Sequence, residues 1–348
     1  MVTDTGDQEL ISEDEKALYD RQIRLWGLEA QNRIRNSKVL LAGLTGCGAE
    51  IAKNLVTEDD KCCQFLISED SIGQNRADAT KLRCQVLNPN VELSVDKEDL
   101  ATKEETFFRA FDLVILVDQK YSLVEKVNEI CRKLRIRFEA AGVFGWVGYG
   151  FFDFNDFAFL TNVVKRHAYH IDAGSGSQPS ASVLEKNAPP ADQSGDARGT
   201  LGPVIVDDDE ERVKKNMSFA SWSSTLNVDW SHKKFIRLAS RVLPNVYFPV
   251  RALLRVYDGN STVDTNMVLD LWRKEVEKCG RDPTELVDQQ EASYLIGPQF
   301  SPACAIVGAV VAQEAIKALS QNAIPLQNLF VYSAYSSSGV VCYLPPEI

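Results

Sequence analysis

The 348-residue sequence contains no C-x-x-C pair, and only three of its residues are histidines. Structural zinc sites are commonly built from such cysteine pairs, so the sequence predicts no four-cysteine zinc site. His167 and His170 lie three positions apart, but no further ligand stands near them, and we predict no bound metal. The eight cysteines lack paired spacing and indicate reduced, intracellular thiols. Cys131 and Cys304 fall in apolar helical segments and are predicted to be core residues.

The sequence also lacks three further features: an excess of positive charge, a hydrophobic leader and a long apolar run. The formal net charge is −11, and it predicts neither nucleic acid nor an anionic membrane as the partner, because both attract basic surfaces. Residues 1–20 are polar and acidic, so we expect no signal peptide. The apolar run at residues 303–312 is too short to span a bilayer.

Apolar strands alternate with helical patterns through the first half of the chain. This order predicts an α/β fold, with a Rossmann-like, mostly parallel sheet covered by helices on both faces. The run "FDLVILV" at residues 111–117 is typical of a parallel strand that is buried on both sides. We also predict a helix over residues 11–34, a strand over residues 91–95 and a last long helix over residues 301–319.

The composition changes after residue 165. Residues 166–225 are rich in Ser, Gly, Pro and Asp and include the acidic run "DDDEE" at 207–211, so we predict a disordered insert that buries too little apolar surface to fold. Residues 226–294 carry helical patterns and form a predicted helical insert. Residues 295–348 then return to the domain that residues 1–165 begin.

The last predicted helix is apolar on almost every side. Such a helix is buried, either in its own core or against another chain. Small side chains and glycine permit a close approach there, and we predict that Val307 and Ala312 support pairing with a partner chain.

The segment "VLLAGLTGCGAEIAKNL" at residues 39–55 has the outline of a nucleotide-binding turn between a strand and a helix. In G-x-G-x-x-G, the first glycine makes the turn, the second lets the backbone approach phosphate, and the third lets the helix pack on the strand. Gly43 and Gly48 fill the first and third positions, but Thr45 fills the second, with Gly46 beside it. The sequence therefore predicts a vestigial loop. A stand-alone ATP- or NAD-binding enzyme is the alternative, supported by Gly43 and Gly48 alone.

Three segments carry a family resemblance. They are "YDRQIRLWG" at residues 19–27, "QFLISEDSIGQNRADATKLRCQVLNPNVEL" at 64–93 and "SPACAIVGAVVAQEAIKALSQ" at 301–321. These segments resemble the ubiquitin-like-modifier activating enzymes and, within that family, the smaller subunits of SUMO-activating enzymes. The resemblance implies an adenylation-type domain that forms a heterodimer with a homologous domain. One half adenylates the modifier with ATP and Mg, and the other half is silent.

Three positions depart from the pattern of the active half. Thr45 replaces the phosphate-side glycine, Arg76 replaces a lysine, and Gln119 and Lys120 replace the Asp-Asn pair that handles Mg, with Asp118 one residue early. The resemblance therefore implies that this chain binds no cofactor alone, and that ATP and Mg are used at the partner. That partner is the large SUMO-activating subunit, which carries the catalytic cysteine and acts on SUMO.

The resemblance also implies a role for Arg21, since the silent half inserts an arginine from this motif into its partner's ATP site. A guanidinium is always charged and can fork two phosphate oxygens. Without the resemblance, Arg21 and Arg24 would be interpreted as surface charges of a helix. The predicted function is the regulatory subunit of a SUMO-activating enzyme, inactive when isolated and found in the nucleus and also the cytoplasm. A silent pseudo-enzyme scaffold is a further alternative.

The sequence departs from the family after Leu55. There the family continues a helix and adds a strand with a ribose-binding acid, whereas here "VTEDDKCCQFL" follows at once. We therefore expect the second strand of the sheet to be missing. Glu69 and Asp70, which lie ~20 residues beyond the glycine loop, are not predicted to bind a ribose.

Overall fold

The computed structural model describes residues 12–56, 66, 73–166, 208–230, 235, 239, 241–259 and 263–345. The chain divides into two compact units, one of residues 1–160 with 214–348 and the other of residues 161–213. The predictions for His167, His170, Glu69 and Asp70 fall outside the described residues.

The elements follow one another in the alternating order that the sequence predicts. The helices are α1 Glu13–Leu18, α2 Asp20–Trp26, α3 Leu28–Arg35, α4 Gly46–Val56, α5 Arg76–Leu87, α6 Glu105–Phe108, α7 Tyr121–Leu134, α8 Trp222–Leu226, α9 Tyr247–Gly259, α10 Thr265–Lys278, α11 Pro283–Leu286, α12 Gln289–Leu295 and α13 Ser301–Ser320. The strands are β1 Val39–Ala42, β2 Leu113–Val117, β3 Arg137–Phe144, β4 Val147–Asp153, β5 Asp156–Arg166, β6 Asp208–Ser218, β7 Leu329–Ser333 and β8 Ser338–Cys342.

Six strands form the main sheet, in the order β1-β2-β3-β4-β7-β8, and β5 pairs with β6 in a sheet of two strands. Strands β1, β2 and β3 are parallel. Strand β3 turns directly into β4 at Gly145, and β4, β7 and β8 continue the sheet in antiparallel fashion. The predicted α/β class with a Rossmann-like half is confirmed, and the sheet as a whole is mixed.

Helices cover both faces of this sheet, and each face has its own apolar core. On one face α7 and the helices of residues 247–278 pack on the strands, around Phe138, Trp222 and Trp272. On the other face α4 and α13 pack on the strands, around Ile51 and Phe152. All five residues of β2 are buried, as its continuous apolar run predicts.

Two predicted elements differ in the structure. The single helix predicted over residues 11–34 is three short helices, because the backbone turns at Tyr19 and because Gly27 adopts a positive φ of 89° that ends α2. The strand predicted over residues 91–95 is irregular, since no neighbouring strand pairs with it within the described ranges. Strand β1 is the edge of the sheet among the described residues, and the prediction of a missing second strand concerns a segment that lies mostly outside them.

The insert predicted to be disordered over residues 166–225 is partly ordered. Residues 208–218, which include most of the acidic run, form β6, and residues 222–226 form α8. Pairing with β5 supplies the backbone hydrogen bonds of the strand, while Trp222 and Leu226 are buried and anchor the helix. The polar composition of residues 166–225 as a whole did not indicate these two apolar residues, of which Trp222 lies near the end of the insert and Leu226 just beyond it.

The last helix, α13, has 20 residues and is longer than the apolar run at 303–312 suggests. By length and composition alone it could cross a membrane. In this fold it packs against both α4 and the sheet as a core helix.

Candidate functional site

The glycine loop joins β1 to α4 and packs against the end of β2. Gly43 has a φ of +102°, and a Cβ atom there would lie 2.1 Å from the carbonyl oxygen of Val117. A Cβ atom on Gly48 would lie 1.9 Å from the carbonyl oxygen of Gly43. Both positions therefore require glycine, one for the turn and one for the packing of α4 on the loop, as the sequence pattern predicts.

The side chain of Gln299 fills the space in front of this loop. Its Oε1 accepts a hydrogen bond from the backbone N–H of Gly46 at 3.1 Å, at the N-terminus of α4. Its Nε2 donates to Asp118 Oδ2 at 2.8 Å and to the carbonyl oxygen of Val143 at 3.0 Å. We call this carboxamide the Gln299 bridge, because it joins α4, β3 and the residue that follows β2.

Both carboxyl oxygens of Asp118 are occupied within the chain. Oδ2 also accepts a short hydrogen bond from Thr45 Oγ1, and Oδ1 accepts one from the N–H of Val143 at 2.9 Å. Burial raises the pKa of this carboxyl, while the hydrogen bonds and the nearby charge of Arg76 lower it, and the net shift is upward. Asp118 is thus a positioned structural acid rather than an open metal ligand.

The residues around the loop do not fit ATP and Mg. A phosphate bound at a helix N-terminus needs free N–H donors. Here the N–H of Gly46 is bound to Gln299, and the N–H of Gly48 points to Thr45 Oγ1 at 3.4 Å. Asp118 and Thr45 bind each other, and Gln119 Nε2 donates back to the Val117 carbonyl at 3.0 Å.

Arg76 and Lys120 lie at the same end of the sheet. Arg76 is the exposed first residue of α5, after an N-cap formed by Asn75, and Lys120 is the exposed residue just before α7. Neither residue enters the Gln299 bridge. Neither side chain donates a hydrogen bond to the glycine loop within the described ranges.

The described cysteines offer no reactive thiol. Six are free and buried, and they include Cys131 and Cys304, as the sequence predicts. Burial raises the pKa of both of these thiols to about 12. A nucleophilic cysteine needs a lowered pKa and access to solvent, so none of these six is suited to carry a thioester.

Arg21 lies on α2, a helix without a single buried residue. Arg24 forms an ion pair with Asp20 at 2.9 Å, whereas Arg21 forms no ion pair within the described part of the chain. Leu25 lies one turn further on the same face of α2, and 74% of its surface is exposed. The two arginines thus differ, because Arg24 is paired with Asp20 and Arg21 is not paired within the described ranges. Leu25 is an exposed apolar residue beside Arg21 that the sequence did not indicate.

The assignment of Val307 and Ala312 to a partner surface is wrong in this fold. Val307 is 0% exposed and Ala312 is 1% exposed, and Val307 contacts the region of Gly148 in β4. A side chain that is enclosed in the core of one chain cannot contact another chain. Ile306 is exposed on the outer side of the same helix.

Gln299 is the residue that the sequence analysis missed. It precedes the apolar helix α13 and is 181 positions from Asp118 along the chain, so no local motif connects the two. The sequence feature that could have indicated Gln299 is a polar side chain two positions before a buried helix.

Comparison with known proteins agrees with this architecture. A model of the ThiF family matches residues 60–344. SUMO-activating enzyme subunit aos-1 of Caenorhabditis elegans is 36% identical over 97% of this chain and 99% of its own length. SUMO-activating enzyme subunit 1 of Homo sapiens is 35% identical over 97% of each chain, and that of Danio rerio is 35% identical over 98% of this chain and 99% of its own. The chain therefore belongs to the ThiF family and, within it, to the SUMO-activating enzyme subunit 1 group.

Proposed function

We propose that this chain is the non-catalytic subunit of a heterodimeric SUMO-activating enzyme. A larger subunit would bind ATP and Mg, adenylate the C-terminus of SUMO and carry the catalytic cysteine. The observation that supports this division of work is the Gln299 bridge, which uses the N–H and carboxylate groups that a nucleotide and its metal would need. The buried, high-pKa cysteines fit the same division.

Arg21 is the residue that we propose to act across the interface. It is exposed on α2. It forms no ion pair within the described ranges that would compete with a contact to the partner. In the partner's ATP site, its guanidinium would bind phosphate oxygens and stabilise the charge that develops there. An ammonium group cannot reproduce the planar fork, so arginine and lysine are not equivalent at this position.

The surface around Arg21 supports pairing with another chain. Leu18, Leu25 and Leu28 are all exposed on the three N-terminal helices. Exposed leucines beside an exposed arginine are typical of a protein–protein interface, in which apolar anchors flank a charged contact. We propose that this surface docks on the large subunit, and that the heterodimer works in the nucleus.

Two alternatives have less support. A stand-alone nucleotide-binding enzyme would need the donors of the glycine loop, and the chain itself occupies them. In a silent scaffold, Arg21 would have no role in adenylation. In the proposed subunit, Arg21 acts on the ATP phosphates of the partner, so substitution of Arg21 distinguishes the two.

Reconstitution separates these functions. Mixed with the large SUMO-activating subunit, ATP and SUMO, the chain should restore formation of the SUMO thioester on the partner. Alone, it should catalyse no ATP–pyrophosphate exchange. Exchange by the isolated chain at the rate of the heterodimer would support the stand-alone enzyme, and thioester formation without this chain would refute a subunit role.

A further inference from the structure

A cavity of about 640 Å³ opens at the end of the sheet opposite to the glycine loop. It lies where β2 and β3 begin and where α7 ends, and α13 ends beside it. Its charged lining consists of Arg109, Asp112, Arg132, Arg135, Arg137 and Asp156. Four arginines around one cavity are unexpected in a chain with a net charge of −11.

Each acidic group near this cavity already has a partner within the chain, although Asp112 and Asp156 keep their charge. Arg132 Nη1 contacts both carboxyl oxygens of Asp153 at 2.8 Å, so this pair neutralises itself. Asp112 Oδ2 accepts from the N–H of Lys38 at 2.8 Å, and Asp156 Oδ1 accepts from the hydroxyl of Ser218 at 2.7 Å.

The N–H groups of two guanidinium side chains, those of Arg135 and Arg137, have no acceptor within the described ranges. Arg135 and Arg137 form no hydrogen bond or ion pair through their side chains within the described ranges. Arg109 makes one longer contact, of 3.5 Å, with Glu105. Arg135 and Arg137 therefore keep N–H donors that can bind an acceptor in the cavity.

Arg137 lacks a full counter-charge. It is partly buried, and its guanidinium carbon lies 5.8 Å from the ring centroid of Phe157. Burial lowers the pKa of Arg137, Asp112 raises it and the charge of Arg33 lowers it, and the net shift is downward. The surroundings thus disfavour a charge that arginine nonetheless keeps. An acceptor with negative charge would relieve this imbalance.

The ends of the neighbouring helices do not supply that acceptor. The last carbonyl groups of α7 accept from the N–H groups of Arg135, at 3.1 Å, and Ile136, at 2.8 Å. At the end of α13, the carbonyl oxygen of Ser320 accepts from Arg33 Nε at 3.0 Å. These carbonyl groups accept from other donors, and none of them pairs with the guanidinium of Arg135 or Arg137.

We propose that this arginine cavity binds a small phosphate-bearing anion, held by Arg135 and Arg137. A guanidinium fork matches phosphate oxygens, and partly enclosed, charge-assisted hydrogen bonds are stronger than exposed ones. The site is distinct from the glycine loop, since the two ends of β3 are roughly 20 Å apart at about 3.3 Å per residue.

Calorimetric titration of the full chain with inorganic pyrophosphate tests this assignment, with sodium chloride of equal ionic strength as the blank. We expect saturable binding to the wild type. Arg137→Met keeps the apolar stem and should weaken binding roughly tenfold or more. Arg135→Gly keeps the left-handed turn and should weaken it similarly.

Arg76→Met, beside the glycine loop, is the matched control and should leave the affinity unchanged. Wild-type heat equal to the blank would overturn the proposal. So would a loss of affinity in Arg76→Met with none in Arg137→Met, because the anion would then lie at the glycine loop. Arg135→Gly decides the outcome if Arg137→Met does not fold.

Discussion

Glu139 occupies the centre of β3 and gives a sharp test of how the sheet is packed. It is 0% exposed, and neither of its carboxyl oxygens has a hydrogen-bond partner in the described part of the chain. Its neighbours across the sheet are Ile115 and Phe152. Burial, and then the nearby charge of Glu314, raises the pKa of Glu139 well above its usual value. Substitution by glutamine keeps the shape and removes the ionisation.

The sign of the effect follows from this raised pKa. Below the unfolded-state pKa of about 4.3, the carboxyl is protonated in both states and adds no pH-dependent cost to folding. As the pH rises from there toward the folded-state pKa, the wild type loses about 1.4 kcal/mol per pH unit. Between about pH 5 and about pH 7, Glu139→Gln should gain up to about 2.7 kcal/mol over the wild type.

Thermal unfolding at these two pH values measures the difference. At roughly 2 °C per kcal/mol for a chain of this size, the advantage of Glu139→Gln should grow with pH, by up to about 5 °C between them. Glu129→Gln, on the exposed side of α7, is the control and should show no such growth. An advantage of Glu139→Gln that is equal at both pH values would refute the reasoning, because Glu139 would then be paired or hydrated.

Three further predictions test the site and the surfaces around it. Arg21→Ala should slow adenylation of SUMO by the heterodimer roughly tenfold while the subunits still co-purify, and Arg24→Ala should leave the rate unchanged. An equal effect of both would contradict the role in the partner's site. Gln299→Ala should lower the unfolding free energy by about 1–3 kcal/mol, since it leaves buried polar groups unpaired, and an unchanged melting temperature would argue against the bridge. Val307→Asp should prevent folding of the chain itself, whereas Leu25→Asp should leave its melting temperature unchanged and weaken pairing, as measured by sedimentation.

The sequence predicts those elements whose physical cause is local. Five consecutive apolar residues made β2 recognisable, because a strand covered on both faces needs no polar side. Gly43 and Gly48 were recognisable for a similar reason, since a turn and a close packing contact leave no space for a side chain. Alternation at residues 91–95 was insufficient, because a strand also needs a neighbour to pair with.

Long-range contacts account for the remaining errors. The partner of Asp118 is 181 positions away, and no local pattern indicates a contact at that separation. An apolar helix such as α13 is compatible with burial in its own core and with burial against another chain. Only the packing of α4 and the sheet decides that Val307 is internal.

The Gln299 bridge also has a consequence for how the subunit responds to the energy supply of the cell. A protein that binds a ligand in its native state gains stability of RT ln(1 + [L]/Kd), and that gain disappears when the ligand becomes scarce. Gln299 is part of the chain, so its occupancy of the α4 N-terminus does not vary with concentration. We therefore expect the glycine loop to contribute the same folding stability at low and high ATP. Under the proposed function, a fall in ATP would slow the chemistry of the partner subunit and leave the glycine loop of this chain unchanged.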